Sequence, residues 1–390
     1  MPKRTPQARA DVHARTADYE RWLHQCVDVV APELALKHER MQSRAFVFFR
    51  ATFYRWADYL LEAPELFKSF RRVDGMGDAH IENFGTWRDE EGRLAWGAND
   101  LDEACKAPWL SDVLRLAVSA RLAIDEGSLH LKAGEAAGAI LAGYTESLKG
   151  AGRPHVLAEH SAWLREIAIN KMRNPEAAWR KLEASMSDAG PGPSAKLRKQ
   201  MRASLPARAT DVKFHARVAG AGSLGRPRWV ARGLLDGSYC AREAKAWMPS
   251  ALSWAEGKPY KNCRVQAQLL AHSAGARDPV MHTSAGWTIK RIGPEHGRIE
   301  LDEMQDSTQL LQLLGAMGAE VANLHLSDRS KGARVLTEAK NLSADTFRAL
   351  SRDFEQRVCE DHKAYVAGVA QALAPKHTRT SSKRASTAQF

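Results

Sequence analysis

Apolar positions recur at helical spacing from Tyr19 to Leu61: Trp22, Val27, Val29 and Val30, then, after Pro32, Leu34, Leu36, Met41, Phe46, Phe49, Phe53, Trp56 and Leu60. Pro64 stops the pattern, and the polar, basic residues 1–18 read as a frayed, flexible N-terminus. Residues 69–102 have a different rhythm, predicted as strand, loop, strand. Their apolar runs are short, Gly75, Gly77 and Gly85 mark tight backbone, and Asp89-Glu90-Glu91-Gly92 is a hairpin turn between Phe84–Trp87 and Leu94–Trp96. After Pro108 comes a helix that is apolar nearly all round, from Leu110 to Leu122, and therefore expected to be buried. Further helices are predicted over 129–149 and 155–186.

The period changes after the breaker run Asp188–Ser194, so 187–207 reads as a linker. Val212, Phe214, Ala216 and Val218 alternate with polar residues, as in a half-buried strand. The Gly220–Gly225 loop follows, then strands over Trp229–Arg232 and Tyr239–Trp247, a helix over 262–273, and strands over Val280–His282 and Trp287–Ile292. Residues 208–302 are thus a small β-rich lobe between two helical regions, 19–186 and 303–374. The second region carries helices over 306–326 and 344–373, and the basic tail 375–390 reads as disordered. The fold class is α+β, with a mostly helical large lobe and a small antiparallel β lobe.

Composition narrows the class of protein. The chain has 390 residues, 44 % of them apolar, enough for two lobes with real cores. No apolar run approaches the roughly 20 residues that span a bilayer, so no membrane partner is expected. The five cysteines include no C-x-x-C pair, which argues against a zinc site or disulfide framework and for a reducing cytoplasm. The net charge of +11 draws anions to the surface. Nucleic-acid binding is one reading of that charge. It is not favoured, because no nucleic-acid-reading motif accompanies it.

Two constellations carry chemistry. Gly220-x-Gly222-x-x-Gly225 could open a Rossmann site, but such a loop must run into a helix. Here Pro227 and Trp229-Val230 predict a second strand, so the loop should bridge two antiparallel strands, as in protein kinases, where backbone amides cover ATP phosphates. Lys245, on the third strand of the unit, matches the lysine that neutralises those phosphates. The second constellation is Asp78, His80 and Asn83, followed by Asp100 and Asp102. Its spacing suits magnesium and phosphate held beside a proton acceptor, and it lacks the closing glutamate of an EF-hand. Arg50, among the aromatics of 46–56, is a candidate anion contact.

Gly77-Asp78-x-His80-x-x-Asn83 resembles the catalytic loop of aminoglycoside phosphotransferases, and Asp100-Leu101-Asp102 resembles their metal-binding segment. The resemblance implies that Asp78 accepts or orients the acceptor hydroxyl's proton, with Asn83 and Asp100 on Mg²⁺. Asp102 would serve a second ion or support the first. His80 would brace the loop by hydrogen bonding, and Asp112 would brace it from the next helix. The chain also resembles a bacterial family, domain-of-unknown-function family 2252. The residues that carry this are Phe46-x-Phe48-Phe49-Arg50-Ala51, Gly77–Gly85, Asn99–Glu103, Pro108-Trp109, Arg115–Ala117, the glycine loop, Lys245 and Gly315–His325. That family usually has a glutamate near Gln266. The catalytic loop precedes the glycine loop, the reverse of the kinase order, so a circularly permuted kinase-like fold is expected. The expected function is transfer of phosphate from Mg-ATP to an unidentified acceptor. The alternatives are an ATP-binding pseudokinase, a nucleotidyl-transferring protein and a basic nucleic-acid-binding protein.

Overall fold

The computed structural model describes residues 11–159, 161–172, 174–188, 192–259 and 262–373. The tail from 375 lies outside them. The chain begins with five helices, α1 (Val12–Cys26), α2 (Ala31–Ser43), α3 (Ala45–Ala51), α4 (Phe53–Glu62) and α5 (Pro64–Phe67). α1 starts at Val12, ahead of the expected Tyr19, because Asp11 caps it and Val12 and Thr16 are buried. Extended backbone at Arg44 separates α2 from α3.

Four short strands follow, β1 (Arg72–Gly75), β2 (Phe84–Arg88), β3 (Leu94–Ala98) and β4 (Cys105–Pro108). β2 and β3 pair antiparallel about the predicted turn, and β1 pairs with β4, a strand the pattern does not announce. α6 (Trp109–Asp125) is buried from Trp109 to Ala123 and forms the spine of the helical core, with α7 (Ala133–Lys149) beside it. The helix expected over 155–186 is instead β5 (His155–Val156), which extends the β2–β3 hairpin, then α8 (Ala162–Met172) and α9 (Pro175–Ala184). Pro175 at the first turn and the Asn174 cap account for the break.

The expected linker also holds structure. After β6 (Met186–Ser187), α10 (Ala195–Ser204) forms behind a Ser194 cap and buries Leu197 and Met201, one turn apart, against the sheet. That sheet is antiparallel, in the order β10-β11-β9-β8-β7-β6. Its main strands are β7 (Thr210–Arg217), β8 (Arg228–Leu235), β9 (Ser238–Ala246), β10 (His282–Ser284) and β11 (Trp287–Ile292). α11 (Ala251–Ala255) and α12 (Arg264–His272) lie between β9 and β10. The connection after β11 runs along the hairpin, where Thr86 N–H donates to Gly297 O at 2.9 Å. It leads into α13 (Ser307–His325), α14 (Gly332–Asn341) and α15 (Ala344–Leu373). α13 lies so close to α7 that a Cβ at Gly143 would stand 1.9 Å from Gly315 O. The architecture is α+β, with a helical body and small antiparallel sheets. Among the described residues no helix is long and apolar enough to cross a membrane.

Candidate functional site

The loop between β1 and β2 is held from below. Asp112, in the first turn of α6, accepts from Met76 N–H at 2.8 Å and stands 3.2 Å from His325 Nε2. Tyr144 OH lies 2.8 Å from His325 Nδ1, so α6, α7 and α13 all fix one point of the loop. Gly75 leaves the room: a Cβ there would sit 2.4 Å from Asp112 Oδ2. Ser119 Oγ accepts from Ile81 N–H at 3.1 Å. The brace assigned to Asp112 is therefore present. His80 does not brace by hydrogen bonding, because its Nε2 is 3.8 Å from Asp78 Oδ2 and its buried Nδ1 has no partner among the described residues. Burial, with Arg50 and Arg115 nearby, holds the His80 imidazole well below its usual pKa, so it is neutral.

Asp78 is gripped by Arg115 of α6, whose Nε and Nη2 donate to Asp78 Oδ1 at 2.9 and 2.6 Å. The Arg115 guanidinium lies 3.9 Å from the Phe49 ring centroid and 5.0 Å from that of Phe53. Burial pushes the Asp78 carboxyl up, against the pull of Arg115, and the net shift is upward. Asn83 Nδ2 donates to Asp78 O at 3.1 Å and to Asp100 O at 3.3 Å, which leaves its oxygen for other partners.

Asp100 hangs from the end of β3 and meets Lys245 of β9: Nζ to Oδ2 is 2.7 Å. Burial disfavours the Asp100 carboxylate, but Lys245 and Lys290 outweigh it and hold the group well below the usual carboxylate range. Lys245 Nζ also lies 2.5 Å from Asp102 Oδ2, and Arg226 Nη1 is 3.0 Å from the same oxygen. Both Asp102 oxygens are buried and neither has a hydrogen-bond partner among the described residues, so the contacts of Oδ2 with Lys245 and Arg226 are ion pairs. Glu103, next in sequence, accepts from Ala251 N–H at 2.7 Å, and burial pushes its pKa up to about 7.

The glycine loop joins β7 to β8, two antiparallel strands, so no helix follows it and the Rossmann geometry is absent. Glu243 of β9 is paired with Arg228 and Arg217. Gly220 and Gly225 have φ of +74° and +91°. Gly222 lies against the loop that carries Asp78: a Cβ there would stand 2.9 Å from Arg50 O and 3.9 Å from Asp78 Oδ2. Three contacts tie the loop to α2 and its cap. Lys37 Nζ donates to Gly222 O at 3.2 Å, Gly225 N–H to Glu33 Oε2 at 3.3 Å and Val30 N–H to Gly225 O at 2.9 Å. Arg228 Nη2 donates to Ser223 Oγ at 2.5 Å.

All of this encloses a cavity of about 190 Å³. Asp78, His80, Asn83, Asp100 and Asp102 line it from one side, Gly220, Gly222, Ser223, Arg226 and Arg228 from the other, with Arg50, Tyr19 and Tyr54 at its walls. Arg50 reaches it in an ion pair with Glu82, which Arg298 also binds. A larger cleft of about 790 Å³ adjoins it, sharing Asn99, Gly220 and Arg228 and running along Lys290 and the 293–300 connection. Gly225, Lys245 and Asp112 do not line it; Lys245 meets Asp100 and Asp102, which do. Among the described residues, no three His, Cys, Asp or Glu side chains are grouped to hold a metal by themselves.

Sequence reasoning missed Arg115, Arg226, Arg228 and Glu103. Each had a signal: an arginine inside an apolar helix and within the family-like Arg115–Ala117 stretch, the Arg226-Pro227-Arg228 run after the glycines, and an acid directly after Asp102.

The fold and site define an α+β protein in which a glycine loop and a lysine strand close over a loop of carboxylates and amides. Residues 30–190 match a protein family described as "Uncharacterized protein conserved in bacteria (DUF2252)", and over that stretch the chain is similar to this bacterial family. The matched stretch carries Asp78 to Asp112 and stops before the glycine loop and Lys245. Comparison with curated proteins finds no match, and comparison with solved structures finds none either.

Proposed function

We propose that this protein is a circularly permuted, kinase-like phosphotransferase that uses Mg-ATP. The observation that carries the reading is the meeting of Lys245 with Asp100 at 2.7 Å across 145 residues of chain. Strand, glycine loop, strand, lysine strand and helix follow one another in β7, β8, β9 and α12 as they do in protein kinases, while the catalytic loop comes earlier in the chain. α13 ends at His325, against the brace of that loop, where the chain of an unpermuted kinase would enter it.

The residues present suit a hard cation. Asp100 and the side-chain oxygen of Asn83 offer oxygen alone, and one or two carboxylates plus phosphate oxygens are the usual magnesium set. When bound, magnesium neutralises charge on the phosphates. The chain's own groups do the rest. The glycine loop and Arg228 orient the triphosphate, Lys245 balances its charge, and Asp78 takes the acceptor hydroxyl's proton. The acceptor oxygen then bonds the γ-phosphorus while the bond to the bridging oxygen breaks and ADP leaves. A carboxyl raised by burial is the better base for this.

Asp78→Ala and Asp100→Ala are expected to abolish ATP turnover while leaving the melting temperature near that of the wild type. Turnover unchanged in both variants would overturn the assignment. A second reading, a nucleotide-binding pseudokinase, draws on α12, which carries no acid to hold Lys245. Magnesium-dependent ATP binding with no transfer to any acceptor would favour it. ATP labelled at the α-phosphate separates phosphoryl from nucleotidyl transfer, because only the latter leaves that label on the product.

A further inference from the structure

Resting on the phosphotransferase reading above, we propose that Asp102 and Arg226 are the positioning residues for Lys245, and that Asp102 acts there in place of a helix acid. α12 reads Arg264-Val265-Gln266-Ala267-Gln268-Leu269-Leu270-Ala271-His272, without aspartate or glutamate. Its buried Gln266 accepts from Thr283 Oγ1 at 2.6 Å, and Thr283 Oγ1 lies 3.0 Å from Thr288 Oγ1. Thr288 stands opposite Lys245 in the β9–β11 ladder. Through Thr283 and Thr288 the helix thus meets the lysine strand by neutral groups, and Gln266 Nε2 is left without a partner among the described residues.

The charge that faces Lys245 comes from the helical body instead. Asp102 Oδ2 sits 2.5 Å from Lys245 Nζ and 3.0 Å from Arg226 Nη1. Arg226 Nε and Nη2 both donate to Ala246 O, at 3.1 and 2.5 Å, which fixes the guanidinium to the residue beside Lys245. Ala246 N–H in turn donates to Pro227 O at 2.9 Å. Arg226 thus fastens Asp102 to β9 one residue from the lysine. The Lys245, Arg226 and Asp102 side chains are 4, 6 and 8 % exposed, so this contact is poorly screened by solvent. With Oδ2 in ion-pair reach of both Lys245 and Arg226, the charge of the Asp102 carboxylate is already balanced before a further cation arrives. Magnesium binding then rests mainly on Asp100 and Asn83, and Asp102 sets where the Lys245 ammonium stands.

The test uses the full-length chain with Asp102→Asn, Arg226→Met and the double variant Asp102→Asn with Gln266→Glu. An amine-acylating reagent and mass spectrometry give the labelling rate of Lys245 without any nucleotide. We expect faster labelling in both single variants and a return towards the wild-type rate in the double variant, where a carboxylate on α12 replaces the lost one. Calorimetry with Mg-ATP is expected to show affinity about tenfold weaker in each single variant, the scale of one lost charge-assisted contact, with the Mg²⁺ half-saturation unchanged. An unchanged Lys245 labelling rate in both single variants overturns the inference. So does an Asp102→Asn variant that binds metal-free ATP normally and fails only in its magnesium requirement. A wild-type chain that binds no ATP sinks the phosphotransferase reading alone, since the labelling experiment decides the role of Asp102 without it.

Discussion

Asp78 is the residue on which the site turns, and Arg115 sets its state. The pair is deep in the protein: Arg115 is fully buried and its two nitrogens reach one oxygen of Asp78. Removing one member of a buried pair strands the other. Arg115→Met is expected to cost roughly 3 kcal/mol in a denaturant titration. The loss of the cation should also raise the Asp78 carboxyl further, because burial is then opposed by Arg50 without Arg115. On the proposed reading Asp78 is a base that works only when deprotonated, so the acid limb of the turnover–pH profile should move to higher pH in this variant. That Asp78, Asn83, Asp100 and Lys245 belong together could be read from the sequence through residue type and spacing, and the fold brings them into contact. Arg115 and Arg226 could not be, because their partners lie 37 and 124 positions away, and only the fold brings them together. His80 was legible as a member of the loop, but its expected hydrogen bond is absent, since Asp112 and Ser119 already hold the backbone.

Among the elements, the glycine loop and α13 make the sharpest demands. The loop works at contact distance, and Gly222→Val would drive a side chain into Arg50 O, 2.9 Å from the Cβ position. The loop must then lift from Asp78, and turnover should fall roughly a hundredfold, the usual effect of an ångström-scale misplacement. A melting curve close to wild type would show that the loss is local. In α13, buried Glu320 accepts from Asn323 Nδ2 at 2.8 Å and lies 3.4 Å from the Ala98 N–H, at the end of the strand that leads to Asp100. Burial raises its pKa from 4.5 to about 7. The folded state therefore holds the Glu320 proton more tightly than the unfolded chain. Its contribution to stability is full below pH 4.5 and is lost as the pH rises through about 7. Glu320→Gln should flatten this dependence, raising the melting temperature at pH 8 relative to wild type more than at pH 5. The long helices and the sheet strands were readable from periodicity, since burial on one side imposes it. β4, β5, β6 and α10 were not: two are only two residues long, and in α10 Leu197 and Met201 stand among basic, polar and small residues.

At the scale of the molecule, the first helix returns to the last. The His13 ring stacks on Tyr365 at 5.0 Å, so α1 starts beside the last turns of α15. A chain joined end to end through a flexible linker and reopened in the breaker run at 188–194 would have the glycine loop ahead of the catalytic loop. It is expected to keep the far-ultraviolet circular dichroism and the ATP affinity of the wild type, because the contacts of the site do not depend on chain order. Loss of both would mean that the native order is needed for folding. Charge complementarity across the site was partly legible in the net charge of +11, but not its arrangement, which gathers Arg226, Arg228, Lys245 and Lys290 on one side and the carboxylates on the other. The tether between the glycine loop and α2 has a consequence for time rather than affinity. A loop held by Val30, Glu33 and Lys37 cannot swing open alone. On the proposed reading, the escape of ADP waits for α2 to let go, so stopped-flow release from a Lys37→Met variant should be faster than from the wild type even where the two bind equally well.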